Sequence, residues 1–145
     1  MQDILIVEGK LKEALSTIPE LRTVESYEGT IEDLAGSTRL PAALIVYGGA
    51  RAQSEEGTRA VQTKVDVYFT VYVIAKNTRG KAEASVDVRT LLEVSRNRIH
   101  ALAFNGITVK WEEETLEMMT PDGICAYAQH YRYQDYIVKE KGLIK

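Results

Sequence analysis

Val61-Gln62-Thr63-Lys64-Val65-Asp66-Val67-Tyr68-Phe69-Thr70-Val71-Tyr72-Val73-Ile74-Ala75 is the stretch that decides the fold. Successive side chains on a strand point to opposite faces, so a period of two sorts this run. Val61, Thr63, Val65, Val67, Phe69, Val71, Val73 and Ala75 fall on one side; Gln62, Lys64, Asp66, Tyr68, Thr70, Tyr72 and Ile74 fall on the other. The run exceeds the roughly five or six residues of an ordinary strand. Its second face is wet near Lys64 and Asp66 and apolar again at Tyr72 and Ile74. That gradient predicts a strand that leaves solvent and enters a covered region, such as a neighbouring subunit. Lys76-Asn77-Thr78-Arg79-Gly80 closes the strand, and a helical pattern follows at once.

The flanking segments fall into place around it. Upstream, Ile4, Val7, Leu11, Ala14, Leu15 and Ile18 recur at steps of three and four, the stripe of a helix over residues 3–18. Asp3 suits its N-cap and Pro19 forbids its continuation. A short strand is expected over residues 22–27, then a small apolar element at Ile31, Leu34 and Ala35. Residues 42–47 are apolar on both faces, the pattern of a central strand. Gly48 to Thr58 reads as a polar loop, longer than the roughly two to five residues of a simple hairpin. Downstream, Ala84, Val88, Leu91, Leu92, Ser95, Ile99, Leu102 and Ala103 mark a second helix over 81–103, ended by Asn105-Gly106. Residues 107–119 alternate, with Ile107, Val109 and Trp111 on one side and Lys110, Glu112 and Glu114 on the other. Pro121-Asp122-Gly123 is a turn, and a last long antiparallel strand covers 124–138. The order predicts one α+β domain over residues 1–145: a mostly antiparallel sheet of five or six strands with both helices on one face.

Bulk properties narrow the function classes. A chain of 145 residues, 45% apolar and 27% charged, can bury a core and is not of disordered composition. Eighteen basic against 21 acidic residues leave a net charge of −3, which gives no electrostatic reason to expect nucleic acid. The single cysteine, Cys125, rules out an internal disulfide and suits a reducing compartment. Met1-Gln2-Asp3 opens with neither a basic segment nor a long apolar run. Folding in a cytoplasm, without a membrane span, is the expectation.

Reactive chemistry has few candidates. His100 and His130 stand far apart with one cysteine, a poor metal set, so no metal or cofactor is expected. His100 reads as a helix-end residue favouring the dipole, and Cys125 as a small buried hydrophobe. Glu112-Glu113-Glu114 with Glu117 could serve acid–base work. On a regular strand, however, Glu112 and Glu114 share a face and Glu113 opposes them, which reads as a charged edge that blocks wrong pairing. Gly48-Gly49 lacks the lysine and hydroxyl residue of a phosphate loop. Tyr127, Tyr131 and Tyr133 share a face while Tyr136 takes the other; they could stack bases, but an acidic chain favours a protein interface. Arg79 at a strand-to-helix turn could cap carbonyls or reach a neighbour.

Several segments, in order, resemble a small family of Mu-like phage and prophage tail proteins. They are residues 21–29 (Leu-Arg-Thr-Val-Glu-Ser-Tyr-Glu-Gly) and 40–49 (Leu-Pro-Ala-Ala-Leu-Ile-Val-Tyr-Gly-Gly), then Phe69-Thr70-Val71-Tyr72-Val73 and Asn77-Thr78-Arg79-Gly80. The helix around Leu91-Leu92 and the strand with Ala126-Tyr127-Ala128-Gln129-His130-Tyr131 complete the set. The resemblance spans nearly the whole chain through scattered short matches. It implies a tail terminator of contractile-tailed phages: a homo-oligomeric ring, a hexamer, that closes the tail tube and sheath and meets the head connector. It implies residence in the virion tail after assembly in the host cytoplasm, and no catalytic residue. With it, Arg51, Glu55, Glu56, Arg59, Tyr72, Arg79, Tyr131 and Tyr133 are the expected subunit or tube contacts, and weak order is expected over residues 53–57. Another neck or head-completion ring protein is the near alternative; a small α+β enzyme and an RNA-binding module are the distant ones.

Overall fold

A computed structural model describes residues 1–27, 39–53, 62–76 and 87–138. Helix α1 spans Ile4–Leu15 and strand β1 Thr23–Ser26; β2 spans Ala42–Ala52 and β3 Gln62–Lys76. Helix α2 spans Val88–Ile99, a small hairpin pairs β4 (Ala103–Phe104) with β5 (Ile107–Thr108), and β6 (Lys110–Met119) and β7 (Ile124–Val138) follow. The main sheet runs β1-β2-β3-β7-β6, with β1 parallel to β2 and every other pair antiparallel. The expected α+β class, with two helices on one face of a mostly antiparallel sheet, is what these residues form.

The opening stretch stands at the centre. From Gln62 to Lys76, β3 pairs residue for residue with β7 without a break. The face bearing Val65, Val67, Phe69, Val71, Val73 and Ala75 joins Val7, Leu11 and Leu15 of α1 and Val88, Leu91, Leu92 and Ile99 of α2 in one core. Each large apolar side chain so buried contributes roughly 1.5–3 kcal/mol. On the opposite face Leu44, Ile74 and Ala126 form a second cluster with Tyr27, Leu40, Tyr72, Met118 and Ile124. The predicted covered region therefore exists, but residues of this same chain help to close it, and Leu44 and Ile74 are buried without a neighbouring subunit.

The helix caps carry their predicted chemistry at one end only. The Asp3 carboxylate accepts from the Leu5 amide at 2.9 Å, as an N-cap should. The helix stops at Leu15, before Pro19, because the Ser16 and Thr17 hydroxyls donate to the carbonyls of Lys12 and Ala14 at 2.7 Å each. Asp87 caps α2 in the same way, accepting from the Arg89 amide. Among the described residues α2 is shorter than predicted, ending at Ile99 with His100 as its C-cap.

Three expectations are corrected by the backbone. Gly48 to Ala52 is not loop: β2 continues through a bulge, where the register slips between Tyr47 and Gly49. A Cβ on Gly48 would sit 3.2 Å from the Tyr68 carbonyl oxygen, and Gly49 has φ +105°, so both glycines serve the bulge. Asn105-Gly106, with φ 50° and 82°, does not end the helix; it is the two-residue turn joining β4 to β5. Residues 107–119 are two strands, and β6 carries register slips between Trp111 and Glu113 and between Leu116 and Met118. Pro121-Asp122-Gly123 is the expected turn into β7, closed by the Gly123 amide donating to the Thr120 carbonyl at 3.0 Å. No helix among the described residues is long and apolar enough to cross a membrane.

Candidate assembly surfaces

The bulges decide which side chains meet. Past its slip, β2 presents Arg51 opposite Asp66 on the face away from the helices. Asp66 accepts from the Gln53 amide at 2.6 Å and lies 3.8 Å from the Arg132 guanidinium. Arg132 in turn holds Glu112 at 2.6 Å. A polar ribbon thus runs from Gln53, just past β2, across three strands of the open face through Asp66, Arg132 and Glu112, and beside it the Thr70 hydroxyl meets His130 Nδ1 at 3.1 Å. Exposed Arg51 stands at its end.

The β6 slip after Trp111 also corrects the reading of the glutamate run. Glu112 and Glu114 do not share a face. Glu112 reaches Arg132 on the open face, and Glu113 is paired across from His130. Glu114 turns under α2, where Arg96 holds it at 3.1 Å and the Gln129 amide donates to it at 2.8 Å. Gln129 is fully buried; its amide also donates to the Leu92 carbonyl at 2.8 Å, and its own oxygen accepts from the Tyr131 hydroxyl at 3.0 Å. Arg96 stacks over the Trp111 ring at 5.6 Å. The set ties α2 to β6 and β7 through polar contacts, a clamp in a core that is otherwise apolar.

The predicted contact residues separate accordingly. Tyr131 and Tyr133 are 1% and 2% exposed and belong to this chain's own core. Their strand position shares a face with the helices, so neither side chain is available to a neighbouring subunit or a base, and the tyrosine comb is a core feature. Tyr133 stacks on Phe69 at 6.2 Å, and Phe69 meets Tyr47 at 5.5 Å. Burial pushes the phenols of Tyr131 and Tyr133 well above their usual range, with Glu114 adding to the first and Asp135 to the second. Tyr72 is half-buried in the second cluster, its phenol raised by burial and then by Glu117. Arg51 is exposed, on β2 and not in a loop. Glu55, Glu56, Arg59 and Arg79 lie outside the described residues, as do Ile31, Leu34 and Ala35 and most of the 53–57 segment.

His100 differs from its reading as a dipole partner: its Nδ1 accepts from the Trp111 amide at 3.0 Å, linking the end of α2 to β6. Cys125 is 3% exposed beside apolar neighbours, as expected. Among the described residues no group of three or more His, Cys, Asp or Glu is placed to hold a metal ion.

The described surface also exposes several large apolar side chains. Met1 is exposed ahead of α1, Leu5 and Ile6 on α1, Leu116 and Met119 on β6, and Tyr136, Ile137 and Val138 at the end of β7. A cleft of about 340 Å³ runs beside that strand end, lined by Gly106, Thr108, Lys110, Arg132, Gln134 and Tyr136. These patches were missed in the sequence, although three consecutive apolar residues at 136–138 break the alternation and carry a signal.

Residues 6–133 match the model of a protein family described as Bacteriophage Mu, Gp37. No curated protein matches the chain. The matched span takes in both helices and all seven strands described above, apart from the ends of α1 and β7. The chain belongs to the Bacteriophage Mu Gp37 family and is a Mu-like phage protein.

Proposed function

We propose that this protein is a structural component of a phage tail: a terminator that assembles as a ring, caps the tube and sheath, and meets the head connector. The observation that carries the reading is the family match over residues 6–133, on a chain whose surface holds several separate apolar patches. A closed ring built from heterologous contacts needs two different patches on every subunit. Exposed Leu5 and Ile6 on one element, and Leu116 and Met119 on an edge strand, supply chemically suitable surfaces at two places. Exposed apolar groups that gather into patches, rather than standing singly, mark interaction sites. The work is done by surface complementarity, without a catalytic residue, and the partners are other copies of the chain, tube and sheath subunits, and the connector. Arg51, at the end of the polar ribbon, remains a proposed contact.

Deletion of the gene from a Mu-like prophage, followed by electron microscopy of induced lysates, tests the reading. A terminator predicts tails of uncontrolled length, restored to uniform length by the gene in trans. Uniform tails detached from full heads would instead assign the chain to a neck or head-completion ring. Normal, joined particles would refute both.

A further inference from the structure

The free part of the β7 edge carries an inference that does not rest on the tail reading. β6 stops pairing at Lys110, opposite Arg132, whereas β7 runs on to Val138. Beyond Arg132, β7 pairs with β3 on one side and hydrogen-bonds to no strand among the described residues on the other, where the Gln2 amide donates to the Asp135 carboxylate at 2.6 Å and the Gln2 side chain meets Asn105 of the β4–β5 turn. The direction of its backbone groups follows from two bonds. The Lys64 carbonyl accepts from the Gln53 amide, so Lys64 turns its polar groups toward β2 and away from its β7 partner, Tyr136. The Tyr136 amide, correspondingly, donates at 2.8 Å to the Asp135 carboxylate and not to β3. By alternation, the amides and carbonyls of Gln134 and Val138 face outward as well.

That edge is built differently from β6. The outer strand β6 is bulged twice and bears Glu112, Glu113 and Glu117, devices that deter strand addition. Tyr133 to Val138 pairs with β3 without a bulge and ends in three exposed apolar residues. The cleft described above lies along it, with the β4–β5 turn as its far wall and exposed Lys110 at one end. Lys110 forms no ion pair with a described residue.

We propose that this cleft receives an extended, acidic segment of a partner protein, which adds as a strand beside Tyr133 to Val138 and sets a carboxylate against Lys110. Backbone bonds to the outward Gln134 and Val138 groups give affinity, and Lys110 gives preference by charge. Size argues for an arm rather than a second copy. The free edge is about 20 Å long at ~3.3 Å per residue, whereas a stable dimer buries roughly 800 Å² on each partner.

The test titrates the protein with short capped peptides of alternating valine and threonine, one with a central glutamate and one with a central lysine, followed by amide NMR. The glutamate peptide is expected to shift the Gln134 and Val138 amides and to bind about threefold more tightly, the worth of one exposed ion pair. Lys110→Glu should invert that preference. Gln134→Pro should abolish binding while leaving the remaining amide spectrum native, because its N–H faces the cleft and not β3. Absence of shifts at millimolar peptide, or equal binding of both peptides, would overturn the proposal. So would self-association of the free protein that Gln134→Pro abolishes, which would assign the edge to a second copy.

Discussion

Replacing Gln129 by leucine probes the polar clamp under α2, and its cost can be worked from the geometry. Three hydrogen bonds disappear, to Leu92, Glu114 and Tyr131. Each is worth about 1 kcal/mol net. Glu114 keeps Arg96, so its charge stays compensated. The Tyr131 hydroxyl is buried and loses its acceptor, adding the roughly 1–3 kcal/mol penalty of an orphaned polar group. Leucine returns part of this through apolar burial, which places the loss at about 2–4 kcal/mol. Urea unfolding followed by circular dichroism, with an unchanged m value, measures it. The second half of the prediction is non-additivity. Tyr131→Phe alone strips Gln129 of its donor, but combined with Gln129→Leu it removes the orphan, so the double variant should be more stable than the sum of singles by about 1–2 kcal/mol. A single-variant loss below about 0.5 kcal/mol, the scale of ordinary surface changes, or a strictly additive double variant, would refute the clamp.

Gly49→Ala should cost about 1 kcal/mol or more, since φ +105° is strained for any residue with a Cβ, and thermal melts will show it. Phe69→Ala, which empties the centre of the Tyr47–Phe69–Tyr133 stack, should cost about 3–5 kcal/mol in urea unfolding. Tyr131 stays protonated when folded at a pH where the unfolded chain has ionised. Its contribution is therefore present below about pH 10 and lost as pH rises, at about 1.4 kcal/mol per pH unit; Tyr131→Phe should flatten that alkaline slope. The Asp87 carboxyl, held below its ordinary value of 3.8 by the Arg89 amide and side chain, should titrate below that value by NMR. The stability it adds is present above its unfolded value and fades as pH falls through the folded one.

The central architecture was legible because β3 sets an apolar residue at every second position from Val65 to Ala75. The bounds of β7 were legible too, and those predicted match those observed. Asp3 and the Pro121-Asp122-Gly123 turn were legible for a local reason: each acts on backbone within a few residues. Two of the departures, at Gly48 and at Glu112, come from bulges. An inserted residue shifts every later side chain to the other face, and neither Gly48 nor Glu112 announces that shift in composition. Gly48-Gly49 looked like the start of a loop because glycine serves both, and Asn105-Gly106 like a helix stop for the same reason. Tyr131 and Tyr133 were placed at an interface because tyrosine suits one, whereas the strand's parity put them under the helices. The polar ribbon joins Gln53 to residues from three strands, and no local pattern links Gln53 to Glu112.

Cryo-electron microscopy of the neck of a Mu-like particle tests the assembly claim most directly. A terminator requires a closed ring of copies of this chain at the head-proximal end of the tube, with neighbours meeting through the exposed residues of α1 and β6. Density for the chain only elsewhere in the particle, or none in the mature virion, would contradict it.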